Sequence, residues 1–375
     1  MPAIHHFIPT ISDGDGTSNC VLSMQLRMRE LGVDSEIFVI EDLSKRSLPS
    51  YLDYKGNSDD ILIYHLATAS PMPRYLAGLE NPIAVMYQNV TPAHYFADFD
   101  PLAGQIQEHA KADLDFLATR AIAGIAPSRF NAQDLFEAGF SEVLHAPIVF
   151  NPEDFMVEGD PEADKMLWNL GERGFSNWVF IGRLVPNKAQ EKLIMTLAVH
   201  REIFGDSAYL HLVGRPSYKG YVKALFDLAK ELGVDDRLNI TFGVSTSALS
   251  SFYSMSDLFI STSEHEGFCM PLVEAMYNRL PVLAVDSSAV GETLGGGGIC
   301  LDTFDPRQLA AYAHEICSLP SMAQSLRERA RLRLDEIGAK ATVPQLDVAI
   351  RRLLEVAGIP FDLPTDRPSK LVVSS

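Results

Sequence analysis

The sequence predicts an α/β protein made of two doubly wound domains. Short apolar runs of strand length alternate with helical stretches along most of the chain, in repeated βαβ units. This series is interrupted once, over residues 151–176, where the chain becomes acidic and contains several prolines and glycines. The chain has 375 residues, 47% of them apolar, which is enough to fill two cores of ordinary size.

The first series of strands predicts an N-terminal domain over residues 1–165. Residues 4–8 form its first strand, and a loop containing Gly14 and Gly16 leads into a helix over about 18–31. Thr17 is the expected N-cap of that helix. The remaining strands are predicted at 35–41, 60–65, 82–87, 121–126 and 143–148, with the clearest further helices at 102–119 and 131–137.

The second series predicts a C-terminal domain over residues 175–342. Its strands are expected at 177–182, 209–214, 238–242, 258–261 and 281–285. Its helices are expected near 190–204, 218–232, 306–319 and 322–337. An amphipathic helix over 343–358 follows, and residues 359–375 are expected to form a loose tail because they show little periodicity.

Charge and cysteine content exclude several classes of function. With 31 basic and 49 acidic residues the net charge is -18, which argues against a nucleic-acid-binding protein. The same charge disfavours broad adhesion to anionic lipid, although a local basic patch is compatible with transient contact at a membrane surface. The four cysteines are widely spaced, and no apolar run reaches transmembrane length. We therefore expect a cytoplasmic protein, peripheral at most at the inner membrane face.

The stretch from Ser263 to Met276 gives the clearest indication of function. It joins a buried strand to a helix that begins near Pro271, so its loop presents backbone N–H groups at a helix N-terminus, where anions bind. Glu266 and Glu274 bracket this loop. A carboxylate repels phosphate but accepts hydrogen bonds from hydroxyls, so the combination indicates a ligand with both phosphate and polyol groups, such as a sugar nucleotide.

Two cations on an earlier turn strengthen this interpretation. Arg183 and Lys188 lie five residues apart, where the strand over 177–182 gives way to a helix. Both side chains can neutralise the charge that develops on a departing diphosphate. Cations are electrostatically disfavoured at the positive end of a helix, so a functional reason for their position is more plausible than a structural one.

These segments resemble the retaining GT-B glycosyltransferases of the large Glu-x7-Glu family, glycosyltransferase family 4, typified by bacterial mannosyl- and glucosyltransferases. The resemblance continues through residues 279–285. It implies the GT-B fold, in which two Rossmann-like domains face a central cleft. The first domain would lie on the acceptor side, the second would bind the nucleotide sugar, and the helix over 343–358 would cross back to the first.

The resemblance also implies roles for individual residues. Arg183, Lys188 and Glu266 are the candidate catalytic residues, the cations contacting the diphosphate and Glu266 the donor sugar, and Glu274 would contact the ribose. One departure from the family is Ala189, where many members have glycine. The remaining candidates for donor binding are Gly14, Gly16, Phe242, Val244, Gly267, Phe268, Cys269 and Met270.

Candidates for the acceptor side follow strands of the first domain. They are His65, Gln88, Asn89 and His94. Many family members carry a histidine near the position of Gln88, where it touches the donor sugar. Gln88 is therefore a second departure from the family, and Asn89, His65 and His94 are the possible substitutes for that histidine.

Taken with this resemblance, which implies retention and a place in cell-surface polysaccharide synthesis such as that of lipopolysaccharide, the sequence predicts a metal-independent hexosyltransferase. The expected donor is a GDP- or UDP-linked sugar, with GDP-mannose preferred, and the expected acceptor is a saccharide or lipid-linked saccharide. No cofactor and no metal are expected.

Two alternatives stay open. One is a nicotinamide-dependent oxidoreductase built on Gly14, Gly16 and Glu41, although Asn19 replaces the third glycine of that fingerprint. The other is a non-catalytic sugar-nucleotide-binding protein.

Overall fold

The computed structural model describes residues 3–150, 152, 157–360, 364 and 369. The chain divides into two compact units. The first comprises Met1–Ala97, Pro101–Asn151 and Ile337–Ser375, and the second comprises Asp98–Asp100 and Pro152–Glu336. Most of the predicted tail over 359–375 lies outside the described residues, as does part of the predicted linker.

The first unit contains one six-stranded sheet, and all of its strand pairs are parallel. Its strands are β1 (Ile4–Ile11), β2 (Ile37–Asp42), β3 (Ile61–Leu66), β4 (Ile83–Tyr87), β5 (Ala123–Ala126) and β6 (Val143–His145). The helices between these strands are α1 (Gly16–Glu30), α2 (Met72–Ala77), α3 (Pro101–Ala118) and α4 (Arg129–Ala138). Every residue of β3 and β4 is buried, which explains why both strands are almost entirely apolar, His65 of β3 being the exception.

The second unit also contains a six-stranded, parallel sheet. Its strands are β7 (Ser176–Ile181), β8 (Ala208–Val213), β9 (Leu238–Thr241), β10 (Leu258–Ser261), β11 (Val282–Val285) and β12 (Ile299–Leu301). Its helices are α5 (Pro161–Glu172), α6 (Gln190–Phe204), α7 (Lys219–Glu231), α8 (Thr246–Met255), α9 (Met270–Tyr277), α10 (Val290–Leu294), α11 (Pro306–Ser318) and α12 (Pro320–Ile337).

The final helix, α13 (Ala339–Val356), packs on the first unit against β5 and β6. Its apolar face is buried, with Leu346 and Leu353 each 1% exposed. A bidentate ion pair ties it to α1, because Arg27 Nε and Nη2 donate to the two carboxylate oxygens of Asp347, each over 2.7 Å. Planar guanidinium–carboxylate pairs of this kind fix orientation as well as adding energy.

Helix α1 begins two residues earlier than predicted. Asp15, not Thr17, is the N-cap, and its carboxylate accepts a hydrogen bond from the backbone N–H of Ser18 over 3.0 Å. Gly16 is therefore the first residue of the helix, and Gly14 sits just before the cap with a φ of 72°. Aspartate competes well with threonine for this position, since both offer a side-chain oxygen to the free N–H groups of the first turn.

Strand order confirms the predicted fold class. The first sheet has the order β2-β1-β3-β4-β5-β6, and the second has the order β12-β11-β10-β7-β8-β9. Both are doubly wound α/β sheets, in which the direction of winding reverses once. The reversal falls between β1 and β3 in the first unit and between β7 and β10 in the second. Ligands of doubly wound proteins bind beyond the carboxyl ends of the two strands at such a point.

Candidate active site

Two loops meet at the winding reversal of the second sheet. Strands β7 and β10 are hydrogen-bonded neighbours, so the loops that follow them, residues 182–189 and 262–269, leave the sheet side by side. The first of these loops carries Arg183 and Lys188, and the second carries Glu266. The strand order therefore brings together the two segments that the sequence singles out 80 residues apart.

Asn187 links the two loops directly. Its side-chain amide donates to the backbone oxygen of His265 over 3.0 Å, and its own backbone oxygen accepts from the N–H of Glu264 over 2.9 Å. The residue is 2% exposed, so both bonds are shielded from water. Because hydrogen bonds shielded from water are costly to break, these two bonds hold the loops in a fixed position relative to each other.

Lys188 and Glu266 form an ion pair across the two loops. The Nζ of Lys188 lies 2.6 Å from Oε1 of Glu266, and the two side chains are only 14% and 11% exposed. A cation that can face a phosphate and an acid that can face a hydroxyl are thus in direct contact. A partly buried pair of this kind is costly to break from one side, because the remaining charge would lack a partner.

The backbone between the two acids turns sharply at Cys269. This residue has a φ of 70° and a ψ of 62°, the left-handed conformation that is least costly for glycine, and it is the N-cap of α9. Its thiol is buried and hydrogen-bonds to Glu266. Burial, together with the charge of Glu266, raises the pKa of Cys269 well above that of a free thiol, so the group stays neutral.

The loop after β11 supports the same segment from its other side. The backbone N–H of Glu266 donates to Ser288 Oγ over 2.7 Å, and the hydroxyl of Ser287 donates to the backbone oxygen of Ser263 over 2.5 Å. The buried hydroxyl of Thr293, on α10, donates to the backbone oxygen of Phe268. Phe268 itself is 9% exposed. These three bonds hold the backbone of the loop at Ser263, Glu266 and Phe268, before α9 begins at Met270.

Glu274 lies on α9, one turn from its N-terminus. Its Oε2 accepts a hydrogen bond of 2.5 Å from the hydroxyl of Tyr253, on α8. This partner could not be predicted from the sequence, because α8 is rich in serine, which is uncommon inside helices.

Arg183 has an exposed side chain, unlike Lys188. Its backbone is held by Gln190, whose side-chain amide donates to the backbone oxygen of Arg183 over 3.0 Å. Ala189, between the two, has a φ of 49° and a ψ of 44°. This left-handed conformation costs alanine on the order of 1 kcal/mol and glycine very little, which accounts for the glycine that the family prefers here.

Phe242 and Val244 follow β9, which is the edge strand of the second sheet. Phe242 is 43% exposed, and Gly243 between them has a φ of 63°. Their predicted role beside the nucleobase stays a prediction.

The glycine loop of the first unit follows β1, one of the two strands at its winding reversal. A side chain at Gly14 or Gly16 would meet no atom within 4 Å, so there is open space beside both residues. The flanking aspartates have structural partners, since Asp15 caps α1 and Asp13 pairs with Arg46 over 2.9 Å. The predicted contact of the two glycines with a donor stays a prediction.

His65, which the sequence places at the end of a strand, lies in β3 and is fully buried. Its Nε2 lies 3.0 Å from Nδ1 of His6, and its Nδ1 lies 3.1 Å from Nε2 of Gln88. Burial and the neighbouring His6 lower the pKa of His65 well below its usual range, so the ring is neutral. Its described side-chain bonds run to Gln88 and His6, and its role toward a ligand stays a prediction.

The other acceptor-side candidates lie nearer the surface. Gln88 and Asn89 are half-buried immediately after β4, and Asn89 has a φ of 76°. His94 is exposed and its ring lies 4.3 Å from that of Tyr95. Their roles toward an acceptor stay predictions.

Among the described residues of both units, no group of three or more His, Cys, Asp or Glu side chains is arranged to hold a metal ion.

Sequence comparisons find a known family that is similar to most of the second unit. The family model for glycosyl transferases group 1 matches residues 175–333. A D-inositol 3-phosphate glycosyltransferase of Thermobispora bispora is 28% identical over 184 residues, which cover 47% of this chain and 43% of that protein. A GDP-mannose-dependent alpha-(1-6)-phosphatidylinositol monomannoside mannosyltransferase of Mycobacterium tuberculosis is 32% identical over 146 residues, 36% of each chain. The match thus spans less than half the length of these curated relatives.

Comparison of folds extends over almost the whole chain. HepE of Anabaena, solved in complex with UDP-glucose, aligns with a TM-score of 0.72 and 17% identity over 93% of this chain and 99% of that one. WaaG, a glycosyltransferase involved in lipopolysaccharide biosynthesis, aligns with a TM-score of 0.66 and 13% identity over 92% and 99%. No helix among the described residues has the length and hydropathy needed to span a bilayer. Residues 175–333 are therefore similar to the glycosyl transferases group 1, and the chain as a whole has the GT-B fold.

Proposed function

We propose that this protein is a retaining hexosyltransferase that moves a sugar from a nucleotide-diphospho-sugar to a saccharide or lipid-linked saccharide. The observation that carries the proposal is the contact between Lys188 and Glu266. It places a cation and an acid from two different loops beside the N-terminus of α9, at the winding reversal where ligands of such sheets bind. The group 1 family match over residues 175–333 supports the same activity.

In this proposal, donor binding breaks the Lys188–Glu266 ion pair and gives each of the two side chains a new partner. When the diphosphate binds, the Nζ of Lys188 turns from Glu266 to the phosphate oxygens, and Arg183 adds a second positive charge from its exposed position. Glu266 is then available to accept hydrogen bonds from sugar hydroxyls. The backbone N–H groups from Gly267 to Met270 complete the phosphate contacts, and Glu274 accepts from the ribose.

The chemical step breaks the bond between C1 of the sugar and the diphosphate oxygen and forms a bond from C1 to the acceptor oxygen. Retention follows when the acceptor attacks from the face that the diphosphate leaves. The hydroxyl proton of the acceptor passes to the departing diphosphate oxygen. Gln88 supports this route, because an amide cannot take up that proton and the family's histidine is replaced here. Lys188 and Arg183 stabilise the charge that develops on the diphosphate, without a metal ion.

The first unit supplies the acceptor side in this proposal, through Gln88, Asn89 and His94. His65 acts indirectly, through its contact with Gln88.

GDP-mannose is the preferred donor, because one relative is named as a GDP-mannose-dependent mannosyltransferase, and UDP-glucose is the second choice. Both named relatives are described as acting on inositol derivatives. A polyol or glycolipid acceptor and transient contact with the inner membrane face fit that chemistry. The nicotinamide alternative would leave the Lys188–Glu266 pair unexplained.

A panel of nucleotide sugars tests the proposal. Purified protein is incubated with GDP-mannose, UDP-glucose, UDP-galactose or UDP-N-acetylglucosamine, each with a mixture of inositol, saccharide and lipid-linked saccharide acceptors, and release of nucleoside diphosphate is measured. We expect release with one donor, undiminished by EDTA, and a product of the same anomeric configuration as the donor. Binding without release would indicate the non-catalytic alternative. NADH binding with no response to any nucleotide sugar would contradict the proposal.

A further inference from the structure

The carboxylate of Glu274 is held from inside the second unit by a buried tyrosine. Tyr253 is 1% exposed, and its hydroxyl lies 2.5 Å from Oε2 of Glu274. The two residues lie on different helices, α8 and α9. Helix packing, not local chain geometry, therefore makes this contact.

The direction of this hydrogen bond is fixed by the chemistry of the two groups. An ionised carboxylate only accepts, so the tyrosine hydroxyl donates. Burial, and after it the charge of Glu274, raises the pKa of Tyr253 well above that of a free tyrosine, so the hydroxyl keeps its proton at neutral pH. A short bond from a protonated hydroxyl to a charged oxygen is stronger than one between neutral groups.

The tyrosine ring is itself fixed to the sheet. It stacks on Phe259 of β10 with ring centroids 6.3 Å apart and an angle of 16° between the planes. Phe259 is 1% exposed and lies in the strand whose following loop carries Glu266. Strand β10 thus positions both acids, Glu266 through the loop that follows the strand and Glu274 through Tyr253.

We propose that Tyr253 is a positioning residue that holds Glu274 ready for the ribose and so makes the site selective for ribonucleotides. The inference rests on the proposed function, which gives Glu274 its ribose contact. A carboxylate can accept about four hydrogen bonds, so the bond from Tyr253 leaves capacity for the two neighbouring hydroxyls of a ribose. A side chain already held in one rotamer loses less conformational entropy when the ligand binds.

The test compares Tyr253→Phe with the unaltered protein by titration calorimetry, using UDP and GDP and their 2′,3′-dideoxy analogues. The unaltered protein should bind the ribose form of its nucleotide more tightly than the dideoxy form. In the variant we expect affinity for the ribose form to fall on the order of tenfold, the size of one hydrogen bond to a charged group. Affinity for the dideoxy form should change less than about twofold.

Tyr209→Phe is the matched control. Tyr209 lies on β8 of the same unit, its ring packs against those of Phe175 and His211, and its loss of a hydroxyl should change neither affinity. Equal losses for both nucleotide forms in Tyr253→Phe would show that the tyrosine serves packing alone, and unchanged affinities would show that it does not position Glu274. Either result overturns the inference and leaves the proposed function intact. Failure of the unaltered protein to bind UDP or GDP overturns both.

A second measurement keeps the inference testable if Tyr253→Phe has reduced stability. In a Glu274→Ala background, Tyr253→Phe should cause no further loss of affinity for the ribose form, because its effect passes through the carboxylate. Additive losses in the double variant would contradict a positioning role.

Discussion

Replacing Lys188 with alanine is expected to lower kcat by about 100-fold or more, with a smaller change in KM. The ammonium group stabilises charge that appears only as the diphosphate departs, and removal of one oriented group of this kind typically costs on the order of 10² to 10³ in rate. The variant also leaves the carboxylate of Glu266, only 11% exposed, without its ion-pair partner. Steady-state kinetics with the active donor of the nucleotide-sugar panel measure the effect.

Lys192→Ala is the matched control for this variant. Lys192 pairs with Glu264 over 2.5 Å on the neighbouring turn, but its pair is more exposed, at 25% and 36%. Exposed ion pairs contribute little, so this variant should keep its activity within about twofold. Full activity in Lys188→Ala, or an equal loss in both variants, would contradict the role given to Lys188.

Glu274→Ala is expected to weaken binding of the nucleoside diphosphate by about 10- to 100-fold. Hydrogen bonds between a charged carboxylate and ribose hydroxyls are worth about 1.5–3 kcal/mol, which corresponds to this range of affinity. The loss should appear in Kd for UDP or GDP, measured by calorimetry, since the ribose contact exists before the chemical step.

The control for this second variant is Glu202→Ala. Glu202 is an exposed acid on α6 of the same unit, so its removal changes the net charge equally without touching the site. Its affinity for the nucleotide should be unchanged. If Glu274→Ala also keeps its affinity while remaining folded by thermal denaturation, the ribose role is wrong.

Much of the fold could be predicted because its signals are local. Apolar runs such as those of β3 and β4 identify buried parallel strands wherever the chain places them. Pro271 marks the start of α9 in the same local way. Short or polar elements escaped prediction. Helix α8 contains four serines, residues that favour turns and caps, and its helical state depends on packing against the unit.

The candidate site could be predicted only as far as residue types and spacing allow. The sequence indicates that Lys188 and Glu266 serve one ligand, but their direct ion pair requires β7 and β10 to be neighbours. Strand order is a property of the whole sheet and leaves no local mark. The bridge made by Asn187 and the bond from Tyr253 to Glu274 depend on that order in the same way.

In the first unit, the burial of one candidate residue could not be predicted. A histidine near the end of a strand looks available for a ligand, yet His65 is enclosed by neighbouring strands. Its contact with His6 on β1 and with Gln88 after β4 could not be read from spacing, because each lies on a different strand.

A crystal structure of the protein soaked with GDP-mannose or UDP-glucose would show whether these four side chains form the nucleotide-sugar site. We expect the diphosphate beside Lys188 and Arg183, sugar hydroxyls on Glu266, and the ribose on Glu274. A nucleotide bound instead at the glycine loop of the first unit, with Lys188 still paired to Glu266 and all four side chains out of contact with it, would contradict the proposed function.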